Sequence, residues 1–293
     1  MWQAGRVGVT DDTRSACRAT AASAQQVRIV PGALDRVTAG AVPPLDPGVH
    51  FVDGDPAAVA AYVLVLDAIN FGSGWFAELP GLGYEPVAQA LTDYWRAEGP
   101  LDAAALRAAD AAFVADLLGQ PAEHALIGLY ARGLQELGGA LGDRTALEVV
   151  RDCEPSAERV VTWLSALPMW RDTGFLKRAQ IAASDLALAG VARFTDLHRL
   201  TAFADNVLPQ VLRHDGVLEV VDPALAARID RSEVLAPGPA ERELRACAVR
   251  ACELLAAHLG LTERELDNVL WTRGQAPAYA KPPLPHRTLS TFY

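Results

Sequence analysis

Along most of this chain apolar residues recur every third or fourth position, the spacing of helices that bury one face. That spacing predicts helices over DPAAVAAYVLVLDAIN from Asp55, EPVAQALTDYWRA from Glu85, LDAAALRAADAAFVADLLG from Leu101 and PAEHALIGLYARGLQELGGAL from Pro121. Further helices are expected over SAERVVTWLSAL from Ser156, FLKRAQIAASDLALAG from Phe175, PAERELRACAVRACELLAAHLG from Pro239 and TERELDNVLWTR from Thr262. Asp55, followed by Pro56, and Thr262, ahead of an acidic first turn, carry the chemistry of helix caps. Alternating strand patterns are confined to VRIVPG near Val27 and GVLEVVD near Gly216. The pattern therefore predicts an all-α, predominantly helical single domain over residues 1–293, with at most a few short strands. No repeat, low-complexity linker or charge block divides it. The proline-rich tail after Gly274 ends in HRTLSTFY, and those aromatics predict that it docks back on the body.

Composition narrows the function classes. Apolar residues make up 51% of the 293 positions and charged residues 21%, an ordinary globular balance. A formal charge of −10 opposes tight sequence-independent binding to long nucleic acid, which needs a basic surface to replace counterions, but leaves a small nucleotide open. The four cysteines lack CxxC spacing, the histidines are scattered and no HExxH occurs, so neither a metal nor another cofactor is expected. The Met1 region lacks the apolar core of a signal peptide, and no window has the roughly 18 to 20 apolar residues of a membrane helix. The expectation is a soluble, cytoplasmic protein.

Candidate chemistry concentrates between Phe175 and Leu212, where Lys177, Asp185, Asp196 and Asp205 stand among apolar residues. Lysine and aspartate are seldom fully buried unless paired. Lys177, Ile181 and Asp185 share one helical stripe, which is either a solvent edge or the wall of a polar cavity. Pro209 disfavours helical geometry at Leu208 and suits the first turn of a short helix ending near Gly216. Asp205 then either caps that helix or points into a cleft. A second segment, LDAINFGSGWFAELPG from Leu66, runs from Asp67 and Asn70 into a glycine-rich turn flanked by Phe71, Trp75 and Phe76. Such aromatics either cover a helix end or stack on a flat ring, with Asn70 offering its amide to a base edge. No phosphate-binding glycine loop, dinucleotide fingerprint or nucleophile elbow is present.

Several of these pieces occur in the order of one family. KRAQI at Lys177, SDL around Asp185, LTAFADNVLPQVL from Leu200, ERELRACAV from Glu241 and the terminal HRTLSTFY resemble the queuosine salvage proteins, the queuosine 5′-phosphate N-glycosylase/hydrolases. LDAINF from Leu66, His50 and the opening DDTRSACRATAASAQQVRIV extend the resemblance over nearly the whole chain. It implies a fold similar to helical DNA glycosylases and the release of queuine, a 7-deazaguanine base, from its 5′-nucleotide. By the same resemblance Asp205 matches the family's catalytic aspartate and Lys177 its essential lysine, while His50, Asn70, Phe71 and Phe203 match pocket-lining positions. Two departures stand out. NFGSGWF spreads the aromatics more widely than the family pattern, and Asn206 stands where a tyrosine is frequent.

The implied chemistry suits these side chains. Breaking an N-glycosidic bond builds positive charge on the ribose, which a carboxylate such as Asp205 stabilises directly or by activating water. Asp67 or Asp185 can pair with the cationic aminomethyl arm of the base, and Arg178, His286, Arg287 and Tyr293 are candidates for the 5′-phosphate. The expected partner is thus a small-molecule nucleotide, queuosine 5′-phosphate, with no long nucleic acid and no membrane. A glycosylase for another modified nucleotide and a non-catalytic nucleobase- or nucleoside-binding helical protein are the rival readings. Asp196, without a matched role, is expected to be a helix cap.

Overall fold

The computed structural model describes residues 8–38 and 40–293. The first seven residues of the amino-terminal stretch, read above for a signal peptide, lie outside it. In chain order the elements are α1 (Val9–Ser23), β1 (Val27–Ile29), α2 (Pro56–Ile69), α3 (Tyr84–Glu98), α4 (Ala103–Ala108), α5 (Ala111–Leu118), α6 (Ala125–Leu141), α7 (Ala146–Cys153), α8 (Ala157–Ser165), α9 (Lys177–Leu188), α10 (Val207–His214), β2 (Leu218–Val220), α11 (Pro223–Asp230), α12 (Pro239–Leu259) and α13 (Glu263–Gly274). The protein is predominantly helical, as the periodicity predicts. Among the described residues no helix is long and apolar enough to cross a membrane.

Two compact units are distinguished, neither a continuous stretch: residues 1–43, 172–177 and 196–289 form one, and residues 44–171, 178–195 and 290–293 the other. In the first, the long α12 is the central element. Its Leu244, Cys247, Ala248, Ala251, Cys252 and Leu255 are buried among Cys17 of α1, Leu208, Val211 and Leu212 of α10, and Leu266 and Leu270 of α13. The two predicted strands pair with each other, antiparallel, Arg28 opposite Glu219. Glu243 of α12 fastens this ribbon, one carboxylate oxygen accepting the N–H groups of Gln25, Gln26 and Val27 at 3.0, 2.7 and 3.2 Å. The tail docks as expected: His286 and Thr288 are buried, and the Leu235 N–H donates to the Arg287 carbonyl at 2.7 Å.

In the second unit α2 is apolar apart from Asp67 and buried from Ala58 to Ile69 apart from Ala61. Asp55 caps it, accepting from the N–H groups of Ala57 and Ala58. α6 crosses close to its carboxyl end, and that approach depends on Gly133. A Cβ there would lie 2.7 Å from the Ala68 carbonyl oxygen.

Several elements differ from the sequence reading. The single helix expected from Leu101 is two, because Asp110 turns its carboxylate to the Phe113 N–H and starts α5 afresh. α1, α7 and α11 were not expected; the Thr145–Glu148 capping box of α7 is nevertheless written in the sequence. α10 begins at Val207, ahead of Pro209, which occupies the first turn, where its missing N–H has no helical acceptor to lose. Replacing Gly133 with Ala should destabilise the protein by about 1–3 kcal/mol, the usual range for overpacking. Chemical denaturation measures this, and an unchanged midpoint would contradict the close approach of α6 to α2.

Candidate active site

The charged set singled out in the sequence is buried. Lys177 opens α9, and Asp205 lies just ahead of α10. The Lys177 Nζ stands 3.9 Å from Asp205 Oδ2, with side-chain exposures of 6% and 10%. Asp205 Oδ1 meanwhile accepts the N–H groups of Val207 at 2.7 Å and Leu208 at 3.2 Å. One Asp205 oxygen therefore holds the start of α10, as the capping reading expects, and the other faces an ammonium. The same burial removes the solvent-edge reading at Lys177. Asn206 is buried at the N-cap position of α10, where its side chain makes no capping bond.

A second carboxylate belongs to this group and was not singled out in the sequence. Asp267 of α13 is buried, and its Oδ1 accepts the Phe203 N–H at 2.8 Å. Burial, then the neighbouring Asp205 charge, push its carboxyl up to about 7, against the opposing pull of the Phe203 N–H and Lys177. It could have been found from spacing. Glu263, Leu266, Asp267 and Leu270 form an i, i+3, i+4, i+7 stripe, and all four are buried.

Two further residues hold these segments. Arg245 of α12 grips Asp172 through two bonds of 3.0 and 2.5 Å, and its Nε donates to the Ala204 carbonyl at 2.8 Å. Its guanidinium also lies 3.9 Å from the centre of the Phe175 ring. Asp172 in turn accepts the Lys177 N–H at 3.2 Å. Between them Leu176 takes a φ of +54°, a left-handed conformation that costs a leucine about 1–2 kcal/mol. The sequence signal for Arg245 is an arginine inside the run Leu244–Cys252, where apolar residues otherwise face the core. Asp172 offered no such pattern. Asp196 stands at the N-cap of a 3-10 turn over Leu197–Arg199, but the expected side-chain cap is absent; its carbonyl accepts the Arg199 N–H.

In the other unit the carboxyl end of α2 carries the second group of candidates. The Asn70 amide donates to Asp67 Oδ1 at 3.2 Å. Phe71 meets Tyr130 edge-to-face, and the Tyr130 hydroxyl donates to the Phe71 carbonyl at 2.8 Å. Arg178 is buried between the Phe71 and Trp170 rings, at 4.6 and 4.7 Å from their centres. Its guanidinium donates to the carbonyls of Asp67 at 3.0 Å, of Ala68 at 2.8 Å, and of Met169. Gly72, at φ +92°, donates to the Tyr293 carbonyl at 2.9 Å, so the buried last residue is tied to this turn. Trp75 follows in a 3-10 turn, half-buried. Asp185 of α9 is half-buried in the same unit.

Both candidate histidines are shifted toward the neutral form. His286 is buried, and its imidazole is pushed down to about 3, first by burial and then by the Arg245 and Arg213 charges. Burial also lowers His50. His50 Nδ1 lies 3.0 Å from the Asp46 carbonyl and Nε2 lies 2.9 Å from the Tyr84 hydroxyl. Arg287 is half-exposed. Among the described residues no cluster of three or more His, Cys, Asp or Glu side chains is arranged to hold a metal ion.

Asp267 makes stability depend on pH with a defined sign. Its carboxyl titrates near 4 in an unfolded chain and at about 7 in the folded protein, so between those values only the folded state keeps the proton. The wild type should therefore lose stability relative to Asp267→Asn as pH rises from 4 to 8, the asparagine still accepting the Phe203 N–H. Thermal melts across that range check this; a constant difference would contradict a raised Asp267.

Comparison with known proteins gives the family of the whole chain. A family model described as queuosine salvage protein matches residues 49–293. A queuosine 5′-phosphate N-glycosylase/hydrolase of Sphaerobacter thermophilus is 36% identical over 275 residues, covering 83% of this chain and 84% of that protein. Proteins of the same name from Dictyostelium discoideum and Mus musculus are 37% and 30% identical over 139 residues each. Those alignments cover 44% and 43% of this chain, and 43% and 40% of the two relatives. The chain belongs to the queuosine salvage protein family.

Proposed function

We propose that this protein is a hydrolase that cleaves the N-glycosidic bond of queuosine 5′-phosphate and frees queuine for reuse in transfer RNA modification. The observation that carries the reading is the buried Lys177–Asp205 pair, in a chain whose relatives bear that activity in their names. Water supplies both halves of the balance. The bond from C1′ to the base nitrogen breaks, the hydroxyl joins C1′, and the base leaves with a proton, giving queuine and ribose 5-phosphate.

Positive charge develops on the ribose as the base departs. Asp205 Oδ2 is the group assigned to it. Its partner oxygen is held by two backbone N–H groups, so the carboxylate needs little reorganisation as the charge appears. The leaving base is a harder problem, because a 7-deazapurine has carbon where other purines accept a proton at the seven position. Asp267 answers this chemically: a carboxyl raised to about 7 keeps its proton in much of the population at neutral pH, and so can donate to the departing base. Phe203, whose N–H orients Asp267, and Asn206 belong to the same group. Of the phosphate candidates, Arg287 is the cation assigned to that role. His286 is neutral and can offer only hydrogen bonds, and the Arg178 guanidinium already holds three carbonyls. A charge of −10 also favours a small nucleotide over long nucleic acid.

The test is incubation with queuosine 5′-phosphate and detection of free queuine by mass spectrometry, with queuosine and guanosine monophosphate as comparisons. Release from the 5′-phosphate alone is the expected result, and no release at high protein concentration sinks the proposal. Asp205→Asn keeps the capping oxygen, so it should fold normally while losing about a hundredfold to a thousandfold in rate. Lys177→Met should lose turnover as well. A protein that only binds a nucleobase would have no turnover to lose.

A further inference from the structure

Between the 3-10 turn over Leu197–Arg199 and α10, the chain that carries Asp205 is buried yet neither helix nor strand. Buried backbone groups outside a helix or sheet need other partners. Charged side chains supply several of them here. The Phe203 N–H goes to Asp267, and the Ala204 carbonyl goes to Arg245. The start of the segment is held by a residue outside the proposed mechanism, Arg14 of α1.

Arg14 engages all three nitrogens of its guanidinium, a planar fork suited to holding several acceptors at fixed positions. Nη2 donates to the Arg199 carbonyl at 3.1 Å, Nε to Glu263 Oε1 at 2.8 Å, and Nη1 to Asp11 Oδ1 at 3.2 Å. The other Asp11 oxygen accepts from the Arg199 guanidinium at 2.7 Å. α1 thus grips Arg199 by its backbone and by its side chain. Glu263 opens α13, four residues ahead of Asp267, and the two are buried on one face of that helix. Burial raises the Glu263 carboxyl, while the Arg14 charge and then the Ala202 N–H pull it back. Arg14 therefore ties the start of the Asp205 segment to the start of the helix that carries Asp267. All of these residues belong to one compact unit.

One turn further along α1, Arg18 offers a contrast. Its Nε reaches the two Glu253 oxygens of α12 at 2.9 and 3.0 Å, and its side chain is 51% exposed. The Arg14 and Glu263 side chains are 15% and 10% exposed. Both arginines dock α1, but Arg14 is the one bonded to the Asp205 segment.

We propose that Arg14, with Glu263, is a positioning residue that sets where Asp205 stands relative to Asp267. This gives α1, which lies ahead of the stretch matched by the family model, a part in catalysis. It rests on the proposed cleavage of queuosine 5′-phosphate. Arg14 acts on that reaction through the Arg199 carbonyl and through α13.

The test compares Arg14→Met, Arg18→Met, Glu263→Gln and the double variant Arg14→Met with Glu263→Gln. Three readouts are taken: single-turnover queuine release, affinity for the nucleotide, and amide hydrogen exchange over residues 199–208, which include the N–H groups held by Asp267 and Asp205. Misplacing a reacting group by about 1 Å can cost about a hundredfold in rate. Arg14→Met should release queuine about tenfold to hundredfold more slowly, bind the nucleotide within about threefold of the wild type, and exchange faster over 199–208. Arg18→Met should keep the wild-type rate and exchange. Glu263→Gln, whose amide oxygen still accepts from Arg14, should keep the rate within about threefold. Where Arg14→Met fails to fold because it leaves the Glu263 charge buried alone, the double variant removes that charge and should show the same slow release. Wild-type rate and exchange in a folded variant lacking Arg14, or equal slowing by Arg14→Met and Arg18→Met, overturns the proposal. A wild type that releases no queuine overturns the glycosidase reading instead. Exchange then decides the role of Arg14: faster exchange over 199–208 in Arg14→Met alone supports its hold on the segment, and unchanged exchange overturns it.

Discussion

The Asp172–Arg245 pair is the interaction on which the candidate catalytic group depends. Its two side chains are 4% and 3% exposed, and its two bonds are the bidentate geometry that best offsets the cost of taking both charges out of water. Removing one partner of such a pair costs about 3–5 kcal/mol, because the other charge is left buried and uncompensated. Here the pair also sets positions. Asp172 holds the backbone N–H of Lys177, and Arg245 holds the carbonyl of Ala204, the residue before Asp205. The ammonium and the carboxylate 3.9 Å apart are thus fixed from behind by the same ion pair. The left-handed Leu176 is strain tolerated at that junction.

A carboxylate pair served by one lysine creates an asymmetry that suits the chemistry. Asp205 has backbone donors on one oxygen and an ammonium beside the other, whereas Asp267 has a single donor, deep burial and a like charge nearby. The proposed activity assigns the ribose charge to Asp205 and the proton of the departing base to the raised Asp267.

Helix periodicity made most of the fold legible, because burial of one face dominates where a helix forms. α9, α12 and α13 were readable to within a few residues, and the two short strand patterns pair with each other. What periodicity could not see was local competition for backbone groups. Asp110 breaks an unbroken apolar pattern by capping, and the Thr145 capping box starts a helix too short to show a period. Lys177 and Asp205 stood out because charge among apolar residues is costly. Asp267 and Arg245 carry the same signal inside helices whose ends are strongly polar, which masked it. Asp172 was not legible, since it matters through Arg245, a residue distant in sequence.

The most direct test of this account is the single-turnover rate of queuine release by Arg245→Lys, measured beside its thermal melt and its affinity for the nucleotide. Lysine keeps the positive charge but cannot hold both Asp172 oxygens and the Ala204 carbonyl together. The account expects a folded protein that binds substrate nearly as well as the wild type and releases queuine at least about tenfold more slowly, the loss of roughly 1.4 kcal/mol of positioning. A folded Arg245→Lys protein with the wild-type rate would contradict it.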